Sequence, residues 1–311
     1  MGHAAYRVAA MFSIIIPTCN RADILQRSLA CMLAMEGVEA CEFIVIDDGS
    51  TDLTSALLEQ YRLRDNLHLT VITQKNKGPG AARNAGLRVA RMEYILFLDD
   101  DVFPDAALLR RHADFLAEGF DVSQGVLRWH PDVEKAPVIG FMESRGMQFG
   151  FAPVGNDREA SFLNIYTANL ALRRADALSS GGFDDVLTAK RYAYEDTAFA
   201  YTLARAGLRL GINSRAWAYH YHPMTEDGLV GREYKVGYAT RVLKIHYPEI
   251  AGALNIERIV AYMELQRPVL ALLLRLPGIA RLVGYEMYLR LRCRDAFLRG
   301  YAECLQSEND S

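Results

Sequence analysis

The chain lacks a cysteine framework. Its five Cys (Cys19, Cys31, Cys41, Cys293 and Cys304) are odd in number and form no CxxC pair. That argues against a zinc ribbon or disulfide scaffold and fits free thiols in a reducing compartment. Long hydrophobic runs are also missing. Val269–Leu274 is strongly apolar, but far shorter than the roughly 18–20 residues needed to span a bilayer. Val8–Phe12 is too short and too broken by small residues for a secretory leader. The expected location is cytoplasmic, with peripheral membrane contact as the only membrane association left open. Strong net charge is absent too: −3 over 311 residues gives no electrostatic footprint for nucleic acid. With 51% hydrophobic residues, the chain is long enough to bury one large core or two modest ones.

What is present centres on Tyr94-Ile95-Leu96-Phe97-Leu98-Asp99-Asp100-Asp101. An apolar run reads as a buried strand, and three carboxylates stand where it ends. Adjacent carboxylates repel one another and are costly to bury unless a positive group offsets them. An acidic loop facing solvent is one reading. A hard divalent cation, Mg²⁺ or Mn²⁺, is the other.

Upstream, strands are expected at Phe12–Pro17, Glu42–Ile46 and Leu67–Ile72, each followed by a polar loop and a helical pattern. This βαβα rhythm predicts a parallel sheet whose loops gather at the carboxyl ends of the strands, where such sheets bind ligands. Those ends carry Thr18-Cys19-Asn20-Arg21, Asp47-Asp48-Gly49-Ser50, the Lys75–Gly86 stretch and the three Asp. In the third, Gly78-Pro79-Gly80 precedes a helix starting near Ala81, suited to an anion approached by backbone amides, with Lys75, Lys77 and Arg83 of the right sign.

Further on, Gly125–Trp129 reads as a strand. Residues 130–160, with Gly140, Gly146, Gly150 and Gly155, read either as an acceptor-facing segment or as packed irregular chain. Tyr166–Arg174 reads as a strand entering a short helix, and Gly181-Gly182-Phe183-Asp184 as a helix stop and turn. Phe199, Leu203 and Ala206 have helical spacing, which places Glu195 and Asp196 in a first turn. Two carboxylates there complement the helix dipole, or one of them acts as a general base. After Leu208–Ile212, strand alternation puts His220 and His222 on one face, as hydrogen-bonded structural residues or as metal ligands. From Leu229 the pattern becomes helical, broken at Pro248, Pro268 and Pro277. Between Arg258 and Arg299, eight Arg face Glu264, Glu286 and Asp295, an excess of five positive charges. Such helices either pack, on the sheet domain or in a homodimer, or lie on an anionic membrane.

Four stretches in order, Ser13–Arg21, Ile46–Asp52, Gly78–Gly86 and Phe97–Asp101, resemble the signatures of glycosyltransferase family 2 over about residues 12–225. The resemblance implies an α/β GT-A domain at residues 1–228, Rossmann-like and specific for nucleotide-diphospho-sugars, with a C-terminal helical extension at 229–311. It implies inverting, metal-dependent transfer from a nucleotide sugar, a UDP-sugar by preference, to a hydroxyl on a glycan, lipid-linked or other acceptor. Pro17, Thr18, Asn20 and Arg21 would lie beside the nucleoside. Asp48 would accept from the base ring, and Gly80 and Arg83 would serve the phosphates. Asp99 and Asp100 match the pair near ribose and metal, and Asp101 the last metal-binding position. His220, with His222 on the same face, would complete a Mn²⁺ or Mg²⁺ site. Asp196 would be the base, and Glu195 would bind hydroxyls of acceptor or donor. Cys19 stands where many relatives carry Tyr or Phe. Two rivals remain: a non-catalytic nucleotide-sugar-binding protein, and a sugar nucleotidyltransferase. The latter would need a Gly-rich basic loop where Pro17-Thr18-Cys19-Asn20 stands.

Overall fold

The structure is a computed structural model describing residues 11–64, 67–133, 136–145, 147, 158–189 and 193–309. Val8–Ala10 and the glycines Gly146, Gly150 and Gly155 lie outside the described residues. By contact the chain falls into two compact units. The first lies within Met1–Val133, Phe151–Arg191 and Phe199–His222; the second lies within Glu134–Gly150, Tyr192–Ala198 and Pro223–Ser311.

The first unit opens as expected, with β1 (Phe12–Thr18), α1 (Ala22–Met32), β2 (Glu42–Asp47), α2 (Thr54–Arg62), β3 (Leu69–Thr73), α3 (Pro79–Val89) and β4 (Tyr94–Leu98). Every residue of β1 and β2 is buried, as unbroken aliphatic runs require when both sheet faces are covered. β1 runs parallel to β2 and β4, with Thr18 opposite Asp47 and Phe12 opposite Tyr94. The polar loops therefore gather at one end. Gly86 lets α3 lie close on the sheet, because a Cβ there would stand 2.6 Å from Ile15 Cγ2.

The sheet is mixed rather than parallel throughout. After β5 (Val102–Pro104), α4 (Leu108–Ala117), β6 (Val122–Trp129), α5 (Pro137–Ser144) and β7 (Arg158–Glu159), strand β8 (Asn169–Arg173) inserts antiparallel between β4 and β6. Then follow α6 (Arg174–Ser179), α7 (Asp185–Ala189), α8 (Glu195–Arg205) and β9 (Leu210–His220). The strand expected at Leu208–Ile212 starts at Leu210 and runs on to His220 as one long strand. Its register jumps from Asn213 opposite Gly125 to Trp217 opposite Val126, a bulge that keeps the strand continuous. A buried network backs this bulge. His112 lies between Ser123 Oγ at 2.8 Å and Asn169 Oδ1 at 2.9 Å, and Asn169 Nδ2 donates to the Ala216 carbonyl. Burial holds the His112 pKa down at about 4 against the Asn169 contact, so the ring is neutral near pH 7. Phe97, Phe183 and Phe199 form an aromatic core, with Phe183 stacked on Phe199 at 4.5 Å.

The second unit holds α5 and the helices α9 (Glu226–His246), α10 (Pro248–Ala253), α11 (Ile256–Arg275), α12 (Ile279–Val283) and α13 (Tyr285–Asn309). Pro248 opens α10, and Pro277 separates α11 from α12. Pro268, expected to break a helix, lies exposed inside α11, where it only forgoes the amide bond to the Glu264 carbonyl. No helix among the described residues is long and apolar enough to cross a membrane. Helices α9 and α13 approach backbone to backbone. A Cβ on Gly237 would stand 2.0 Å from the Phe297 carbonyl oxygen, and one on Gly300 2.0 Å from that of Tyr234. Gly237→Ala should therefore destabilise the protein by about 1–3 kcal/mol, the usual cost of overpacking. Urea unfolding will check this; an unchanged midpoint would show that the helices separate freely.

Candidate active site

The carboxyl end of β4 is where charge concentrates. Asp100 is 3% and Asp101 2% exposed. Arg21, at the start of α1, straddles them, with Nη1 3.0 Å from Asp100 Oδ1 and Nη2 2.9 Å from Asp101 Oδ2. Thr18 Oγ1 donates to Asp100 Oδ2 at 2.7 Å, and Ser28 Oγ to the Asp100 carbonyl at 2.6 Å. Asp99 turns the other way, to Arg83 Nη2 at 2.6 Å. Arg83 is itself buried, with its guanidinium 5.7 Å from the centre of the Phe183 ring.

A short antiparallel pairing brings the histidines in. Val102 of β5 lies opposite His220 of β9, and the Tyr221 amide donates to the Asp101 carbonyl at 2.9 Å. His220 Nε2 then lies 3.1 Å from Asp101 Oδ1, and His222 Nδ1 3.3 Å from Oδ2. The two imidazoles stack at 5.3 Å, 13° from parallel. One ligand atom from each of Asp101, His220 and His222 falls within 4.8 Å of the others. A carboxylate oxygen with two imidazole nitrogens is a donor set that a divalent transition ion accepts readily, Mn²⁺ more so than the oxygen-seeking Mg²⁺.

The loops at the other strand ends are tied together. Asn20 adopts the left-handed conformation at φ 55°, so its side chain can reach across to the loop after β2. Its Oδ1 accepts from the Thr51 amide at 2.7 Å and the Asp52 amide at 3.3 Å. Asp48 accepts from Gln74 Nε2 at 2.8 Å and from the amides of Lys77 and Gly78 at 2.7 and 2.8 Å. The leading amides of the Gly78-Pro79-Gly80 loop thus serve Asp48. Asp47 secures its own turn through the Ser50 amide and Ser55 Oγ. Pro17 closes the buried β1 beside Thr18, and Gly80 is buried in the first turn of α3.

Glu195 and Asp196 open α8, both half-buried. The Thr197 amide donates to Asp196 Oδ1 at 2.8 Å. Tyr194 immediately before them has φ 80°, a strained conformation for a bulky residue. Its hydroxyl is held 3.1 Å from Thr240 Oγ1. Asn84 pins the Gly-Gly-Phe-Asp turn from both sides: Nδ2 donates to the Phe183 carbonyl at 2.7 Å, and Oδ1 accepts the Phe183 amide at 2.9 Å. Ser28, Asn84 and Tyr194 escape a sequence reading. Ser28 left a trace as a polar interruption of the inward face of α1, three residues after Leu25.

A mixed sheet with this cluster at its strand ends is the architecture of the GT-A fold. The family model of glycosyl transferase family 2 matches residues 13–180, and the chain belongs to that family. By sequence it is 25% identical over 250 residues to the chondroitin synthase of Escherichia coli, covering 71% of this chain and 36% of that protein. It spans between 25% and 54% of the length of such sequence relatives. By structure it matches a mannosyltransferase from Pyrobaculum calidifontis in complex with GDP-Man and Mn²⁺ (TM-score 0.65, 17% identity, 96% of this chain and 88% of that one). It also matches S. aureus TarS 1–349 in complex with UDP-GlcNAc (TM-score 0.56, 19% identity, 96% and 92%).

The paired carboxylates shift apart. Burial raises the Asp100 pKa to about 7, with Arg21 opposing and Asp101 adding to the rise. Burial would raise Asp101 too, but its contacts to His220 and His222, and Arg21, hold it below the usual range. Asp100 binds its proton more tightly folded than unfolded. In chelator, folded stability should therefore fall as pH rises from about 4 through 7. Asp100→Asn should flatten that fall. Thermal melts at pH 5 and pH 8 that shift equally in both proteins would contradict the assignment.

Proposed function

We propose that this chain transfers a sugar from a nucleotide diphosphate sugar to an acceptor hydroxyl, with inversion at the anomeric carbon and dependence on a divalent ion. The observation that carries the reading is the Asp101–His220–His222 cluster at the strand ends, bracketed by Arg21, in a chain of family 2. The donor we infer is a UDP-sugar, the kind held by the TarS neighbour; the mannosyltransferase neighbour holds GDP-Man with Mn²⁺, so the base is the first point to test. The acceptor class is a glycan, a lipid-linked saccharide or another hydroxyl compound.

Asp101, His220 and His222 would hold the ion, which when bound neutralises charge developing on the diphosphate leaving group. Thr18 and Arg21 fix the Asp100 carboxylate beside it. Arg83 neutralises Asp99, so the third carboxylate adds no uncompensated repulsion. Asn20 and Asp48 shape the nucleoside end by joining the loops after β1, β2 and β3. Pro17 and Thr18 would lie beside the nucleoside, and Gly80, in the first turn of α3, would leave close backbone approach for the phosphates. Asp196 is the base that takes the acceptor proton, and Glu195 hydrogen-bonds sugar hydroxyls. Attack by that hydroxyl opposite the leaving diphosphate inverts the anomeric centre.

Two measurements test this. Donor affinity by calorimetry should weaken in chelator and recover with Mn²⁺, and Asp101→Asn should remove most of the metal-dependent part; affinity indifferent to chelator would overturn the metal assignment. Asp196→Asn should lower turnover by about 10²–10⁴-fold at nearly unchanged donor affinity, as loss of a general base does. If Glu195→Gln is inactive while Asp196→Asn turns over normally, the base is Glu195. Full activity in both would remove this helix from the chemistry.

A further inference from the structure

Helix α11 of the second unit presents an apolar stripe that no described residue covers. Tyr262, Leu265, Val269, Leu272 and Leu276 are 55, 80, 60, 64 and 43% exposed. The first four, spaced three and four apart, lie on one side of the helix, and Leu276 follows at its C-cap. Leu282 of α12, 78% exposed, extends the patch. The inward side is satisfied separately, with Leu270 packed against Leu291 and Leu298 of α13. A contiguous apolar surface of this kind marks a docking site.

Charge names the partner. Glu257 is already paired with Lys244 at 2.9 Å, and Glu264 with Arg267 at 3.4 Å. Arg258, Arg275 and Arg281 are exposed and have no acidic partner among the described residues. The charge left over along the stripe is therefore positive. A second copy of the chain would oppose Arg275 to Arg275 if the helices ran parallel, and Arg258 to Arg275 if they ran antiparallel. The exposed Pro268 ring would also interrupt interdigitation. A layer of anionic headgroups instead supplies both the opposite charge and an apolar boundary. We propose that this stripe is a docking surface for an anionic lipid bilayer. The helix lies in the headgroup plane, with its leucines dipping toward the acyl chains and its arginines on phosphates. Its charged residues, not its 20-residue length, keep it from spanning: no helix among the described residues is long and apolar enough to cross a membrane, so it would lie along the surface. The proposal does not depend on the catalytic reading.

The test is sedimentation of the full chain with mixed phosphatidylcholine–phosphatidylglycerol vesicles, and with phosphatidylcholine alone. Binding is expected only to the mixed vesicles, and salt should release it. Arg258→Gln/Arg275→Gln/Arg281→Gln should lower partitioning about a hundredfold, roughly fivefold per arginine. Leu265→Gln/Leu272→Gln should abolish it, with thermal melting and nucleotide-sugar affinity unchanged. No sedimentation at low salt, equal binding to neutral vesicles, or wild-type binding by the leucine variant would overturn the proposal. So would a dimer seen in ultracentrifugation that the leucine variant dissociates without any vesicle binding; that result assigns the stripe to a second copy.

Discussion

Three adjacent carboxylates at the end of a buried strand are the constraint the first unit is built to satisfy. Left alone they would repel one another and lose hydration at a cost of several kcal/mol each. The fold meets this by separating them. Asp99 goes to Arg83, Asp100 to Arg21 and Thr18, and Asp101 to Arg21, His220 and His222. The compensating groups arrive from α3, from the end of β1 and the β1–α1 loop, and from the end of β9 and just beyond it. The sheet order, α3 packed through Gly86 and the β5–β9 pairing are thereby tied to one electrostatic requirement. Removing any one partner leaves a buried charge exposed to its neighbours.

The same arrangement would favour a cation at this site. Asp101 is held ionised, while Asp100 is pushed up to about 7. The two carboxylates share one guanidinium, so a single positive charge serves two negative ones. A divalent ion beside the histidines would remove that shortfall, because it brings charge where Arg21 alone is insufficient.

Much of this was legible in the sequence. β1, β2 and β4 announce themselves as aliphatic runs ending in polar residues. The Asp triplet, the two histidines two residues apart and the Glu195-Asp196 pair at a helix start all carry local pattern. What was not legible depends on partners distant in sequence. Val102–Pro104 is a three-residue strand with too little pattern to reveal its pairing with β9. The use of the Lys77 and Gly78 amides by Asp48 depends on loop geometry, and so does the pinning of the Gly181-Gly182 turn by Asn84. The antiparallel insertion of β8 follows from its place between β4 and β6, where short strands of either direction look alike. Pro268 misled because one missing amide bond weakens a helix without ending it: α11 runs on through the exposed proline to Arg275.

The proposed cation site joins Asp101, between β4 and β5, to His220 at the end of β9 and His222 just beyond it. Pulsed electron paramagnetic resonance of Mn²⁺ bound to the full chain with a nucleoside diphosphate tests it most directly. Nitrogen modulation from coordinated imidazole is expected, lost in His220→Ala/His222→Ala while the ion still binds weakly through the carboxylate. Bound Mn²⁺ with an all-oxygen signature in the wild-type protein would contradict it.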